Sequence, residues 1–143
     1  MADSVHIVEV SPRDGLQNEA RFVATEDKLA LIERLMACGL RSIEATAFVS
    51  PKWVPQMRDA AELYPLLPKH GACRFPVLVP NIQGYERARA CGVTDIAVFT
   101  AASEAFTLKN INASIAESLD RFKPVFERAR HDGVRVRGYV STV

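Results

Sequence analysis

The sequence predicts an α/β fold of parallel strand–helix units. Short runs of β-branched and apolar residues alternate with longer amphipathic stretches. The alternation recurs at roughly thirty residues, the size of one βα unit, and no residue pattern repeats with it. No linker or low-complexity stretch interrupts the 143 residues, which read as one domain, 1–143.

The first strand is Val5-His6-Ile7-Val8-Glu9-Val10. The first helix begins at Thr25, whose hydroxyl can cap backbone N–H groups while Glu26 and Asp27 favour the positive end of the helix dipole. Leu29, Ile32, Leu35 and Met36 make its apolar stripe, and Gly39 is its stop. A second strand covers Ser42 to Phe48, a second helix Pro55 to Leu67, a third strand Arg74 to Val79 and a short third helix Gly84 to Cys91. Thr94 to Thr100 reads as a buried parallel strand because Ile96, Ala97, Val98 and Phe99 are consecutive and apolar. Ser114 and Glu117 form a capping box for a long fourth helix towards His131, with Ile115, Leu119, Phe122 and Phe126 as its apolar face. Pro124 inside it removes a hydrogen bond at a cost of about 3 kcal/mol or more, so a kink is expected there. Gly133 turns the chain into a last strand from Val134. Periodicity alone favours a doubly wound open sheet, which would suit a complete domain of this length.

Composition narrows the function. The chain is 48% hydrophobic and 24% charged, ordinary globular material. Its net charge is +1 with the charges dispersed, which argues against nucleic acid or a membrane surface as partner. Cys38, Cys73 and Cys91 are widely spaced, so neither a disulfide framework nor a zinc site is expected, and a reducing cytoplasm fits. The first strand comes within a few residues of Met1, leaving no room for a targeting segment. No apolar run approaches the roughly 18 residues that span a bilayer.

Ser11-Pro12-Arg13-Asp14-Gly15-Leu16-Gln17-Asn18-Glu19 places an arginine beside a carboxylate where a strand ends, which is where parallel α/β enzymes keep their chemistry. An Asp-Gly turn is also ordinary surface punctuation. Glu44 lies inside an apolar strand. Alternation sends Ile43 and Ala45 to one face and Glu44 and Thr46 to the other. If Ile43 faces the helices, Glu44 is buried on the opposite side and needs a cation, for which Arg13 on the neighbouring strand is the candidate. Gln17, Asn81, Ser103 and Glu104 follow strand ends, and Lys109 and Asn110 lie in the loop after the fourth strand. For these, a capping or surface role competes with ligand contact. Trp53, between Pro51 and Pro55, is expected to anchor a loop by packing. His6, His70 and His131 lie at no strand's C-terminal end and are expected to be structural or exposed.

The opening segment resembles that of 3-hydroxy-3-methylglutaryl-CoA lyases. The likeness continues through Ser42 to Met57, Pro76 to Asn81, Ala101 to Thr107, Lys109 to Asn112 and Arg137 to Ser141, in the family's order and spacing. It implies an incomplete TIM barrel, about the first four βα units plus strand five, because a whole barrel takes about 250 residues. It implies Asp14 as ligand of a divalent Mg or Mn ion and Arg13 and Glu44 as catalytic. Arg13, Gln17, Asn81, Ser103, Lys109 and Asn110 would meet an acyl-CoA substrate. The implied reaction is cleavage of 3-hydroxy-3-methylglutaryl-CoA to acetyl-CoA and acetoacetate. The family's histidine and asparagine metal ligands and its reactive cysteine match nothing in the sequence. Two alternatives follow. One is a catalytically silent half-barrel that forms homo-oligomers or needs the C-terminal half of the barrel. The other is a related metal-dependent condensing enzyme or oxo-acid aldolase.

Overall fold

The computed structural model describes residues 3–68 and 71–142. Its strands are β1 (Thr46–Ala47), β2 (Val77–Leu78), β3 (Asp95–Ala101) and β4 (Arg135–Ser141), in the spatial order β1-β2-β3-β4. Every neighbouring pair is parallel. The helices are α1 (Thr25–Ala37), α2 (Ala60–Leu66), α3 (Ile82–Ala90), α4 (Glu104–Ile111) and α5 (Ile115–His131). A parallel bridge between Glu9 and Ile43 sets the expected first strand beside the β1 segment.

That first strand is reduced to this one bridge. Val5 is 86% and Ile7 63% exposed, and an edge segment with a partner on one side forms only part of a ladder. The second strand also departs from regularity. The Ile43 and Ala45 amides bond to the Arg74 and Pro76 carbonyls, but the next bond is from Phe48 to Leu78. Three residues of one strand thus span two of its neighbour, which is a bulge. The extra residue resets the alternation. Ile43 and Ala45 pack with Ile32, Leu63, Leu67 and Phe75 on the helical side. Thr46 pairs with Val77, a residue of the helix-facing core, and contacts Met57 Sδ at 3.6 Å. Thr46 therefore does not share Glu44's face, contrary to the simple two-residue period.

The main core lies between the sheet and α2, α3 and α5, with Val77, Val79, Ile96 and Val98 meeting Tyr85, Ala88, Phe122, Val125 and Ala129. The capping box of α5 forms as expected: Ser114 Oγ accepts from Glu117 N, and Glu117 Oε2 from Ser114 N. The helix continues through Pro124 as one element. Its buried stripe is Ser118, Phe122, Val125 and Ala129, while Leu119 and Phe126 are exposed. Phe122 is buried as expected, whereas Ser118 and Val125 take the buried places expected of their neighbours Leu119 and Phe126. Small Ser118 and Ala129 let the helix close on the sheet, and the Ser118 hydroxyl is satisfied by Thr100 Oγ1 and Ile115 O. On α1, Thr25 is the first helical residue and not its cap; its hydroxyl donates to Asp59 instead. Leu29, Leu35 and Met36 pack around buried Ile32 as expected, and Gly39 leaves the helix with φ +92°.

The segment after β3, expected as a loop, is a helix. Ser103 caps α4, Asn112 ends it in a left-handed conformation, and Thr107 is buried within it. Trp53 is 85% exposed and anchors nothing by packing. His6 is exposed beside Arg74 and His131 exposed beside Asp132, both as expected. His70 lies outside the described residues.

Gly84, in the first turn of α3, is where the helix meets the sheet. A Cβ there would lie 2.7 Å from both Phe48 O and Pro80 Cδ. Gly84→Ala removes a helix-interior glycine, ordinarily a gain of about 1 kcal/mol, but the overpacking costs about 1–3 kcal/mol. Chemical denaturation will therefore show a lower midpoint for Gly84→Ala, and a raised one would mean that α3 can shift freely.

Candidate active site

Glu44 organises the C-terminal side of the sheet. It follows Ile43, which faces the helices, so its side chain enters the opposite face, where it is 0% exposed. A carboxylate at that depth is tolerable only when its oxygens are paired. Arg13 Nε donates to Glu44 Oε1 at 2.5 Å, and Tyr139 Oη donates to Glu44 Oε2 at 2.6 Å.

Arg13 reaches Glu44 through a single π-helical turn, Ser11–Gly15. Pro12 suits the start of a helical turn because it has no N–H to leave unpaired. The Arg13 and Asp14 amides return to Val10 O, and Glu9 Oε1 accepts from Ser11 N at 2.7 Å. The Ser11 amide, followed by the Ser11 hydroxyl, holds the Glu9 carboxyl below its ordinary pKa. Wide turns of this kind gather at functional sites. The turn buries Arg13 and leaves Asp14 outside, its side chain 57% exposed, with Arg13 Nη1 to Asp14 Oδ1 at 2.6 Å. One guanidinium therefore joins a buried carboxylate to an exposed one.

Tyr139 approaches from β4, three strand spacings from the β1 strand. In a flat sheet that separation is about 14 Å at some 4.8 Å per spacing, so a 2.6 Å contact requires the sheet to curl. Its pKa is raised, chiefly by burial and then by the hydrogen bond to Glu44 and the Glu44 charge. Tyr139 was missed among the candidates read from sequence. The signal was present: a tyrosine alternating with Arg135 and Arg137 on the face away from the core needs a partner for its hydroxyl.

The other candidates share this end of the sheet without touching the Arg13–Glu44–Tyr139 group. Gln17 is half-buried just beyond the π-helical turn. Asn81 follows β2 and caps α3, accepting from Gly84 N at 2.9 Å. Ser103 follows β3 and caps α4. Lys109 and Asn110 are exposed on the last turn of α4, and Glu104 Oε2 accepts from Ile115 N at 3.0 Å, tying α4 to the start of α5. Asp14 fits one position of a divalent metal site, a hard oxygen at the edge of solvent. Among the described residues no three His, Cys, Asp or Glu side chains converge as a group that could hold a metal ion, so Asp14 by itself makes no metal centre.

The family model described as HMGL-like matches residues 4–142. The chain belongs to the HMGL-like family. It is 55% identical over 139 residues to the mitochondrial hydroxymethylglutaryl-CoA lyase of Bos taurus, covering 97% of this chain and 43% of that protein. It is 52% identical to the 3-hydroxy-3-isohexenylglutaryl-CoA/hydroxy-methylglutaryl-CoA lyase of Pseudomonas aeruginosa, covering 97% of this chain and 46% of that one. The crystal structure of the hydroxymethylglutaryl-CoA lyase from Pseudomonas aeruginosa superposes with a TM-score of 0.91 at 51% identity, over 95% of this chain and 45% of that chain. An Acinetobacter baumannii HMG-CoA lyase in complex with coenzyme A and 3-methylmalate gives 0.88 at 34% identity, over 94% and 44%. The structural neighbours are TIM barrels, and this chain spans less than half of their length. The β1–β4 sheet is thus an arc of that barrel, as the resemblance implied. The lyases of the family are generally dependent on a divalent metal. Its relatives include both mitochondrial and cytoplasmic forms, and no helix among the described residues is long and apolar enough to cross a membrane.

All three tyrosines of the chain have raised pKa values. Burial raises Tyr64, and burial with the Asp132 hydrogen bond pushes Tyr85 up to about 12. A raised folded-state pKa stabilises fully below the unfolded phenol value of about 10, and that stability is lost as pH rises through the folded values. In an ultraviolet titration the folded chain will show less phenolate near pH 10 than the unfolded chain, and stability will fall above that pH, less steeply in Tyr139→Phe. Ordinary ionisation of Tyr139, read as a phenolate near pH 10 that is lost in Tyr139→Phe, would overturn the enclosed Tyr139–Glu44 contact. Removing the carboxylate altogether in Glu44→Ala takes away the enclosed partner of buried Arg13, leaving it only the exposed Asp14 carboxylate among its described ion pairs, and will cost about 3 kcal/mol by denaturant titration.

Proposed function

We propose that these residues belong to a hydroxymethylglutaryl-CoA lyase, in which Arg13 and Glu44 carry the chemistry of carbon–carbon cleavage. The observation that carries this reading is the buried Arg13–Glu44–Tyr139 group, with Asp14 exposed beside it. In the reaction the tertiary hydroxyl of 3-hydroxy-3-methylglutaryl-CoA loses its proton and becomes the ketone of acetoacetate. The bond to the thioester-side CH₂ breaks, its electron pair forms the thioester enolate, and protonation of that enolate gives acetyl-CoA.

Arg13 is suited to stabilise the enolate. Its Nε is engaged by Glu44, while the far end of its planar guanidinium is directed towards Asp14 and solvent, where an oxyanion would form. Glu44 orients that group, and Tyr139 occupies the carboxylate's second oxygen so that Glu44 stays fixed. A divalent ion, Mg²⁺ or Mn²⁺, would supply Lewis acidity towards the substrate's hydroxyl and carboxylate, with Asp14 among its ligands. Gln17, Asn81, Ser103, Lys109 and Asn110 are proposed to face the acyl-CoA, on the ground that they lie beyond the same strand ends. A reducing compartment such as the cytoplasm suits the three free cysteines.

The 143 residues alone are proposed to be catalytically silent, a reading favoured by the lack of converging metal ligands among the described residues. The isolated chain should bind Mn²⁺ only weakly and form no acetoacetate; tight stoichiometric binding would contradict silence. In a barrel completed by the remaining residues of a family member, 3-hydroxy-3-methylglutaryl-CoA should be cleaved. There Arg13→Lys should lower kcat by roughly 10²–10³ with metal affinity little changed, the scale seen when one oxyanion donor is lost. Near-normal turnover would remove Arg13 from the mechanism.

A further inference from the structure

A second buried ion pair lies between α1 and the segment that leads into α2, and the proposed reaction does not use it. Lys28, on α1, is 1% exposed, and its Nζ donates to Asp59 Oδ1 at 2.6 Å and to the Gln56 carbonyl at 2.5 Å. The other Asp59 oxygen accepts from Thr25 Oγ1 at 3.0 Å. α1 is thereby fastened to the segment between β1 and α2. Such a pair is weak evidence for stability, because apolar residues of similar volume often serve as well. What an ion pair supplies, and apolar packing does not, is a fixed geometry.

That geometry is passed on towards the candidate active site. Gln56, held by its carbonyl to Lys28, donates from Nε2 to Glu19 O at 2.5 Å. Phe22 lies between two cations, with Lys28 Nζ 4.5 Å and the Arg58 guanidinium 3.6 Å from its ring centroid. Glu19 N in turn bonds to Leu16 O, Asn18 N to Gly15 O, and Asn18 Nδ2 to Asp14 O at 2.8 Å. A continuous set of contacts therefore runs from Lys28 through Gln56, Glu19 and Asn18 to the turn that holds Arg13 and Asp14.

We infer that Lys28, Asp59 and Gln56 are positioning residues: they form a clamp that fixes residues 16–24, and through them sets the orientation of the Arg13–Asp14 turn. The requirement is physical. The turn is anchored on one side by Val10 O and Glu44, and its other end leads into a stretch outside regular structure before α1 begins. Without a tether there, that stretch is free to shift, and a displacement near 1 Å can cost roughly 10²-fold in rate. The inference rests on assigning Arg13 and Asp14 to the reacting centre, but its test reads the turn directly and needs no turnover.

The test compares this chain with Gln56→Ala, which cuts the strut to Glu19, and with Lys28→Met/Asp59→Leu, which replaces the ion pair by apolar residues. Hydrogen exchange is followed at the Asn18 and Glu19 amides, with the Phe48 and Val79 amides as internal controls, and by NMR at the Arg13 Nε–H bonded to Glu44. In both variants exchange at Asn18, Glu19 and Arg13 Nε should quicken about tenfold or more while the controls keep their protection, the pattern of local opening. Uniform acceleration in both would show a pair that only stabilises the fold. Unchanged exchange at Arg13 Nε in folded Gln56→Ala would show that the clamp does not reach the turn. Either result overturns the inference. If the double variant does not fold, Gln56→Ala, which leaves Lys28 and Asp59 paired, decides alone.

Discussion

Glu44 holds a carboxylate in the extended segment that leads into β1, at a depth with no access to water, and the local architecture can be derived from the need to pair it. One oxygen requires a cation from the neighbouring strand, which the π-helical turn provides by directing Arg13 back over the sheet. The other requires a neutral donor, and Tyr139 can supply it only if the sheet curls enough for β4 to face the β1 strand. The bulge directly after Glu44 belongs to the same solution. It allows one inward carboxylate and then returns Thr46 and Phe48 to the helical side, so the apolar core is not broken where the strand turns polar.

The two faces of the sheet divide the work. Towards the helices, Val77, Val79, Ile96 and Val98 bury apolar area against side chains as small as Ala88 and Ala129, which sets how closely the helices approach. Towards the concave face, charges are held in pairs. Arg74 and Arg135 flank Asp95 at 3.9 and 3.7 Å near the N-terminal ends of the strands, loosely and partly in solvent. At the opposite end the Arg13–Glu44 contact is short and enclosed. Only the second pair has the desolvated surroundings in which electrostatics is strong enough to bear on a reaction.

Patterns set by one residue's own chemistry were legible in the sequence. The Ser114–Glu117 cap, the buried run from Ile96 to Val98 and the pairing of Glu44 with Arg13 each follow from local residue types plus one rule of alternation. Features that depend on tertiary packing were not. α4 contains Thr107 and Asn110, indifferent helix formers, and is held by the Thr107 hydroxyl on Ser103 O and by Phe106 against Phe99. The buried face of α5 was hidden because Ser118 is polar in composition yet satisfied inside, whereas Leu119 and Phe126 look like core and face outward. Tyr139 was overlooked because its partner lies 95 positions away in the chain, a separation that no local pattern spans.

The same geometry explains why Arg13 and Glu44 can be set without a complete barrel. A closed sheet would impose curvature through backbone pairing all the way round. Here the Tyr139–Glu44 hydrogen bond crosses the arc as a chord and fixes curvature with two side chains, at the level where the strands present their C-terminal ends. Asp14 is different in kind. It is exposed, its side chain pairs with the adjacent Arg13, and among the described residues it belongs to no group of three His, Cys, Asp or Glu side chains that could hold a metal ion. The Arg13–Glu44–Tyr139 group is therefore specified within β1 to β4 and the turn before α1, whereas Asp14 joins no group of ligands among the described residues. A family chain spanning less than half of its relatives' length thereby holds its guanidinium in place with contacts among its own strands.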